Sequence, residues 1–394
     1  MRSPIWTTMT TGSDTDRLPR CLRIPEVVTD ERLAQLLEAP AAALRRGELV
    51  AFPTETVYGL GAAAHSATVI ARVYDVKGRD GAKPLLFHVA SLEAARALTS
   101  AWTTTAECLA ARFLPGPLTL LLPAAPELNG HPALAGQHAV GIRIPEQRTA
   151  RMLIELAGVP VCAPSANLSG RPSPTRAADV IADLGSRVDW VVDDGPTAVG
   201  LESTVLDLAS GPLPRIVRPG AVSAEQLAAA LEEAADQVTE LPGWYEHLLG
   251  GSGSDPGQRH YAPATPVWLF DAQMSACGVD GPDLLRLLRL LGATGIRQAA
   301  WILSAETSAR LDGLSARLKP PLPPAIWPGN RFVYGRREDH EAAARSLYAA
   351  LRDLDRGRPD VILIESRQEA VFRDRLEHAA AARIVHGELV PLHL

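Results

Sequence analysis

Along the first 240 residues, short apolar runs alternate with stretches of helical spacing. Strand-like runs fall at 49–52, 85–89, 118–122, 140–144, 159–163, 188–192 and 205–208. Between them, residues 30–46 place Leu33, Leu36, Leu37 and Leu44 on one helical side, and residues 103–112, 148–157, 176–184 and 223–235 also read as helices. This alternation predicts one mixed α/β domain over residues 21–241. Residues 1–20 have no sustained apolar run and read as a disordered tail. A second apolar pattern begins after Pro266: strands at Val267–Phe270, Ala299–Ser304 and Val361–Glu365, and helices at Asp283–Leu291 and Asp339–Asp355. That predicts a smaller α/β domain over 265–394. The 242–264 stretch between them contains Gly-Gly-Ser-Gly-Ser-Asp-Pro-Gly at 250–257, the chemistry of a flexible linker. It runs on into Arg259-His260-Tyr261, a cluster that could fold back over a site as a lid.

Composition excludes several classes. Hydrophobic residues make up 46% and charged residues 21%, which suits a globular protein with ample core. The formal net charge of −6 argues against a general polyanion binder, so any basic surface must be a local groove. Four scattered cysteines, with no C-x-x-C pair, fit a reduced, cytoplasmic compartment. No run approaches the length of a membrane span and no signal peptide is evident.

The chemistry concentrates in loops at strand ends. Phe52-Pro-Thr-Glu-Thr-Val-Tyr-Gly-Leu-Gly61 leaves an apolar run and sets hydroxyls at Thr54, Thr56 and Tyr58 beside Glu55, followed by two glycines that let a ligand approach the backbone. Lys77, Arg79 and Lys83 follow on what reads as a glycine-loosened loop. Two of the chain's three lysines fall in that seven-residue window. Three cations so close suit an anion, although a solvated basic loop would look the same. His88 lies in an apolar strand, either as a core residue or as a donor to substrate. In Val140-Gly-Ile-Arg143-Ile, Gly141 and Arg143 share the face opposite Val140 and Ile142. Gly141 is expected to clear space for a carboxylate to dock on the guanidinium. The small polar residues of 164–175 follow the 159–163 strand, as ligand crevices in α/β sheets do, with Thr175 a candidate N-cap. Glu202-Ser203-Thr204 repeats the theme. No nucleophile elbow, carboxylate pair or metal-ligand cluster appears, and no G-x-G-x-x-G follows a strand in the second unit. Hydroxyls and cations without a conspicuous base suit nucleotidyl or phosphoryl transfer. The residues alone stop at an anion-binding or nucleotide-using α/β enzyme.

Taken in order, nine motifs closely resemble the threonylcarbamoyl-AMP synthase (YrdC-like) family. They are the 52–61 stretch, Lys77-Gly-Arg79, Pro84-Leu85, Pro115-Gly-Pro-Leu-Thr119, Arg143-Ile-Pro145, Pro164-Ser-Ala-Asn-Leu-Ser-Gly170, Pro172-Ser-Pro-Thr175, Glu202-Ser-Thr-Val205 and Arg218-Pro-Gly220. Residues 258–263 and the unit beyond them look like the family's long, two-domain form. The resemblance implies a twisted mixed sheet with a concave basic groove, a Rossmann-like C-terminal domain, and a linker crossing the active-site mouth. It implies condensation of L-threonine, bicarbonate and ATP, with Mg²⁺ and no organic cofactor, into threonylcarbamoyl-AMP and pyrophosphate. A threonylcarbamoyl transferase would then modify tRNA with the product. Carried over by motif, threonine contacts fall on Thr56, His88, Arg143, the backbone near Ala163, and Ser203. ATP contacts fall on Lys77, Arg79, Lys83, the backbone near Ala139, Ser165, Asn167, Ser173 and Arg218, with Tyr261 from the linker. Lys77 and Arg79 would serve catalysis electrostatically, and the metal ligands stay unassigned. Lys83 stands where the family commonly has Asn, and the linker is about two residues shorter than usual. Two other readings remain open: an RNA-binding module using the same concave face, and a carbamoyl-transfer maturation protein, whose zinc-type cysteine clusters this chain lacks.

Overall fold

The computed structural model describes residues 18–233, 248, 261–270, 282–315, 329–366, 370–385 and 388–392. Most of the expected tail, the glycine-serine run at 250–257, Arg259, His260 and Cys277 lie outside the described residues. Ten strands build the first sheet: β1 (Arg20–Arg23), β2 (Val50–Pro53), β3 (Tyr58–Ala63), β4 (Phe87–His88), β5 (Leu118–Pro123), β6 (Ala139–Arg143), β7 (Val161–Cys162), β8 (Trp190–Asp193), β9 (Thr204–Asp207) and β10 (Arg215–Arg218). Their spatial order is β1-β8-β2-β3-β7-β4-β6-β5-β9-β10. Pairs β1–β8, β8–β2, β4–β6 and β5–β9 are parallel and the others antiparallel. Helices α1 (Asp30–Arg45), α2 (Ala67–Lys77), α3 (Leu92–Arg96), α4 (Thr104–Phe113), α5 (Arg148–Ala157), α6 (Ala177–Leu184) and α7 (Ala224–Glu233) accompany it. Leu33, Leu37 and Leu44 of α1 pack with Leu153 and Ile154 of α5 on Val50, Phe52 and Val161 of the sheet. Ile70 and Val73 of α2 join Leu60, Phe87 and Leu120 in a second core on the same sheet. Covered by these two cores, the central strands read as continuous apolar runs rather than as a clean alternation.

The second domain carries a six-stranded sheet of β11 (Val267–Phe270), β12 (Ala299–Leu303), β13 (Arg331–Val333), β14 (Val361–Glu365), β15 (Ala382–Val385) and β16 (Glu388–Pro391). Its order is β13-β12-β14-β11-β15-β16, parallel except for the last pair. Its helices are α8 (Pro282–Ala293), α9 (Ala305–Ser315), α10 (His340–Arg356) and α11 (Ala370–Ala379). Among the described residues no helix is long and apolar enough to cross a membrane.

Val57 and Leu201 of the first domain are buried within the hydrophobic core of the second, beside Leu347 and Tyr348 of α10. Around that seam Arg352 of α10 donates to both carboxylate oxygens of Asp183 in α6, at 3.1 and 2.8 Å. Arg356 of α10 reaches Asp179 at 3.1 Å, and Arg176 reaches Asp353 at 2.8 Å.

Four local expectations change. Lys77 is the last residue of α2 rather than part of a loop; Gly78 ends the helix in the left-handed region at φ 57°. The hydroxyl-rich stretch is a tight turn between β2 and β3, with Tyr58–Ala63 fully paired as a strand. Thr175 does not cap α6: Arg176 holds that position without a side-chain bond, and the buried Thr175 accepts from Thr197 N–H at 3.0 Å through its carbonyl. Gly141 makes room for leucines instead of a ligand, since a Cβ there would lie 2.5 Å from Leu86 Cδ2 and 3.0 Å from Leu121 Cδ2.

Candidate active site

Strand ends and helix ends converge on a cavity of about 710 Å³. Seven cationic side chains line it against three acidic ones, so a groove of positive potential exists on a chain of net negative charge. The two-residue strands β4 and β7 explain how it opens. Ala163 N–H still bonds the Leu86 carbonyl at 3.0 Å, but the chain then turns out of the sheet into the polar 164–175 segment.

One group of lining residues forms around the β2–β3 turn. Thr54 Oγ1 donates to the Val57 carbonyl at 2.6 Å and lies 2.8 Å from Thr56 Oγ1, which fixes the turn. Glu55 is buried, accepting from Glu146 N–H at 3.0 Å and from Arg143 Nη2 at 2.6 Å. Arg143 also donates to Thr56 Oγ1 at 2.8 Å and to the Gly116 carbonyl at 3.4 Å. The guanidinium is thus held by Glu55 from within, instead of standing free for a two-pronged carboxylate. What it presents to the cavity is an oriented edge beside a hydroxyl. His88 lies 6.4 Å from the Phe52 ring in an edge-on contact and lines the same cavity. Burial, with nearby Arg143 second, pushes it down to about 3, so it is a neutral imidazole at physiological pH.

A second group gathers at the end of α2. Lys77 is completely enclosed; its ammonium donates to the Asn167 carbonyl at 2.5 Å and to the Ser165 carbonyl. Burial, then Arg79, lowers it to about 7. Arg79 donates to the Pro84 carbonyl at 3.0 Å, and Lys83 follows on the same rim. Asn167 spends its amide on the Leu168 and Arg171 carbonyls, at 2.8 and 2.9 Å.

On the remaining side, Ser173 Oγ donates to Glu202 Oε1 at 2.6 Å. Arg218 donates to the Ser203 carbonyl at 2.8 Å and to Ser203 Oγ at 3.0 Å. Tyr261, with φ 58°, packs over this edge, anchored by Ala262 N–H on the Gly170 carbonyl at 2.8 Å.

Arg79 Nε, His88 Nδ1 and Asn167 Oδ1 are buried polar atoms of this lining for which no hydrogen bond within the protein is seen. Among the described residues no three His, Cys, Asp or Glu side chains converge to hold a metal ion. Of the carboxylates in the cavity, Glu202 is already engaged by Ser173, Tyr348 and Arg375.

Every residue carried over by motif lines the cavity except Ala139, which begins β6 four residues before Arg143 and is not part of the lining. Reading from sequence missed the buried ion pair of Glu55. It also missed Asp374, Arg375 and His378 of α11, which the second domain inserts into the wall. Nothing in the mixed-charge run Arg373–His378 distinguishes it from a solvated helix face. Glu202 carried a weak signal, a carboxylate within a hydroxyl-rich motif.

Fold and site together define a two-domain α/β protein with a cationic, hydroxyl-lined pocket at strand ends. Residues 42–220 match the family model Sua5_yciO_yrdC, described as "Telomere recombination". Residues 222–381 match the model described as "Threonylcarbamoyl-AMP synthase, C-terminal domain". The threonylcarbamoyl-AMP synthase of Bacillus subtilis is 34% identical over 372 residues, 91% of this chain and 97% of that protein. The crystal structure of Pyrococcus abyssi Sua5 complexed with L-threonine superposes with a TM-score of 0.73 at 32% identity, covering 91% of this chain and 97% of the other. The threonylcarbamoyl-AMP synthase of Bos taurus is 35% identical over 207 residues, only 50% of this chain. The chain belongs to the threonylcarbamoyl-AMP synthase family, in its two-domain form.

Proposed function

We propose that this chain is an L-threonylcarbamoyladenylate synthase, a nucleotidyltransferase joining L-threonine, bicarbonate and ATP. The observation that carries the reading is the pairing, in one cavity, of two unlike groups of side chains. Arg143 with Thr56, His88 and Ser203 suits a small zwitterion, its carboxylate toward the guanidinium edge and its hydroxyl toward neutral donors. Lys77, Arg79, Lys83 and Arg218 suit a triphosphate, with Ser165, Asn167 and Ser173 for the rest of the nucleotide. The relative solved with L-threonine supports the first assignment.

In this reading the threonine amine takes up bicarbonate as a carbamate, losing water. A carbamate oxygen then attacks the α-phosphorus in line, and the bond to the bridging oxygen breaks to release pyrophosphate. The residues contribute position and charge rather than proton transfer. With His88 neutral and Glu202 engaged by Ser173, Tyr348 and Arg375, electrostatics is what these residues have to offer. Mg²⁺ enters as MgATP, held by the phosphates and water, a mode magnesium commonly adopts. The product then passes to a transferase that modifies tRNA.

The test is incorporation of labelled bicarbonate. Carbon from bicarbonate is expected in a threonine- and ATP-dependent adenylate with the mass of threonylcarbamoyl-AMP. Pyrophosphate release without carbon uptake would overturn the assignment in favour of simple amino-acid adenylation.

A further inference from the structure

The second domain reaches the pocket through α11, and one side chain does most of the joining. Arg375 has 1% of its side chain exposed. Its Nε donates to Glu202 Oε2 at 3.0 Å, its Nη2 donates to the Pro219 carbonyl at 2.7 Å, and its Nη1 is held by Asp374. The guanidinium carbon stands 4.7 Å from the centre of the Tyr261 ring, which also stacks on Tyr348 at 5.7 Å and 28°. One residue of the second domain therefore grips two segments of the first and the last described piece of the linker.

Each gripped point adjoins a residue of the pocket. Glu202 precedes Ser203, and Pro219 follows Arg218. Those two neighbours bond each other, Arg218 Nε and Nη2 to the Ser203 carbonyl at 3.2 and 2.8 Å. The segments are also pressed together: a Cβ on Gly220 would lie 2.3 Å from the Thr204 backbone N and 2.6 Å from the Glu202 backbone carbonyl oxygen. Glu202 in turn accepts from Ser173 Oγ at 2.6 Å and from Tyr348 OH at 2.9 Å. Burial would push the Glu202 carboxyl up, but Arg375, with Arg218 second, holds it below its ordinary value. The carboxylate is a fixed negative hub whose main counter-charge comes from the other domain.

We propose that Arg375 is a positioning residue of the synthase site, through which the second domain sets the placement of Ser203, Arg218 and Tyr261. The inference rests on the function proposed above and assigns the second domain a task in it. An interface that only glued the domains together would not need a guanidinium lining the reaction cavity. The Arg352–Asp183 pair, whose side chains are not part of the cavity lining, supplies that kind of adhesion.

The test uses the full chain. Arg375→Ala is expected to lower kcat about 100-fold, the scale on which small misplacements of reacting groups act. Millimolar guanidinium chloride is expected to restore about a tenth of the lost rate by entering the vacated site from the cavity, since one guanidinium can bridge Glu202 and Pro219 as the side chain did. Arg375→Lys, which keeps charge but loses the fork, stays low and is not rescued. Amide hydrogen exchange supplies a readout independent of turnover: residues 201–204 and 217–221 exchange faster in Arg375→Ala. If that variant fails to fold around an unpaired carboxylate, Arg375→Ala/Glu202→Gln, which removes the charge, is read the same way. A folded variant within about threefold of wild-type kcat and KM overturns the proposal. So does a loss that guanidinium does not recover, or unchanged exchange at those segments. A wild-type chain with no threonine-dependent turnover counts instead against the function, and the exchange measurement still decides the role of Arg375.

Discussion

Lys77 shows how burial and chemistry trade off at a single residue. An ammonium removed from water and set near Arg79 gives up its proton more readily, hence its position at about 7. In the free enzyme it is protonated below that value and neutral above it. Only the protonated form attracts a triphosphate, and kcat/KM reports groups of the free enzyme. We therefore expect kcat/KM for ATP to fall as pH rises through about 7, by up to about tenfold per pH unit. His88 adds no limb in this range, because it is neutral down to about 3. The control is Lys77→Met, in which kcat/KM falls by about 100-fold or more and the limb near neutrality disappears. A variant with the wild-type pH profile would show that Lys77 does not meet the phosphates.

At the scale of elements, much was legible because local signals agreed with the fold. Strands such as Leu118–Pro123 and helices such as Arg148–Ala157 follow apolar patterns that span the whole element. Strand β3 and helix α2 were not read. Tyr58-Gly-Leu-Gly looks like a glycine-rich loop, yet Gly61 is there for space: a Cβ would sit 2.7 Å from Phe52 Cε1 and 3.0 Å from the Val50 oxygen. Motif order placed most of the cavity lining, but pairings such as Glu55 with Arg143 join residues 88 positions apart and leave no local trace. Gly61→Ala should consequently cost about 1–3 kcal/mol by overpacking, measured by denaturant unfolding. Gly220→Ala, which would push against backbone atoms rather than side chains, should both destabilise the fold and lower turnover as Arg218 is displaced. Stability unchanged in both would mean that the strands have room the contacts deny.

The whole molecule behaves as one unit, since Val57 of the β2–β3 turn is buried in the second domain's core. The Arg352–Asp183 pair at the seam is buried on both sides, and removing Arg352 leaves the Asp183 carboxylate with the half-exposed Arg171 as its remaining counter-charge. Arg352→Ala is expected to cost about 1.5–3 kcal/mol of stability, the scale of a lost hydrogen bond to a charged group. Burial raises the Asp183 carboxyl, but Arg352 and then Arg171 outweigh it and hold the group below its ordinary value. Its contribution is thus present at neutral pH and lost as pH falls through the acid range, so the variant's deficit should shrink on acidification. A deficit independent of pH would separate the pair from the stability of the seam. The central claim, a cavity that binds threonine and ATP side by side for one reaction, is tested most directly by pyrophosphate release from the purified chain. Release is expected with MgATP, L-threonine and bicarbonate together, little when any one is omitted, and none from Arg79→Ala. Release that ignores threonine or bicarbonate, or full activity in Arg79→Ala, would contradict it.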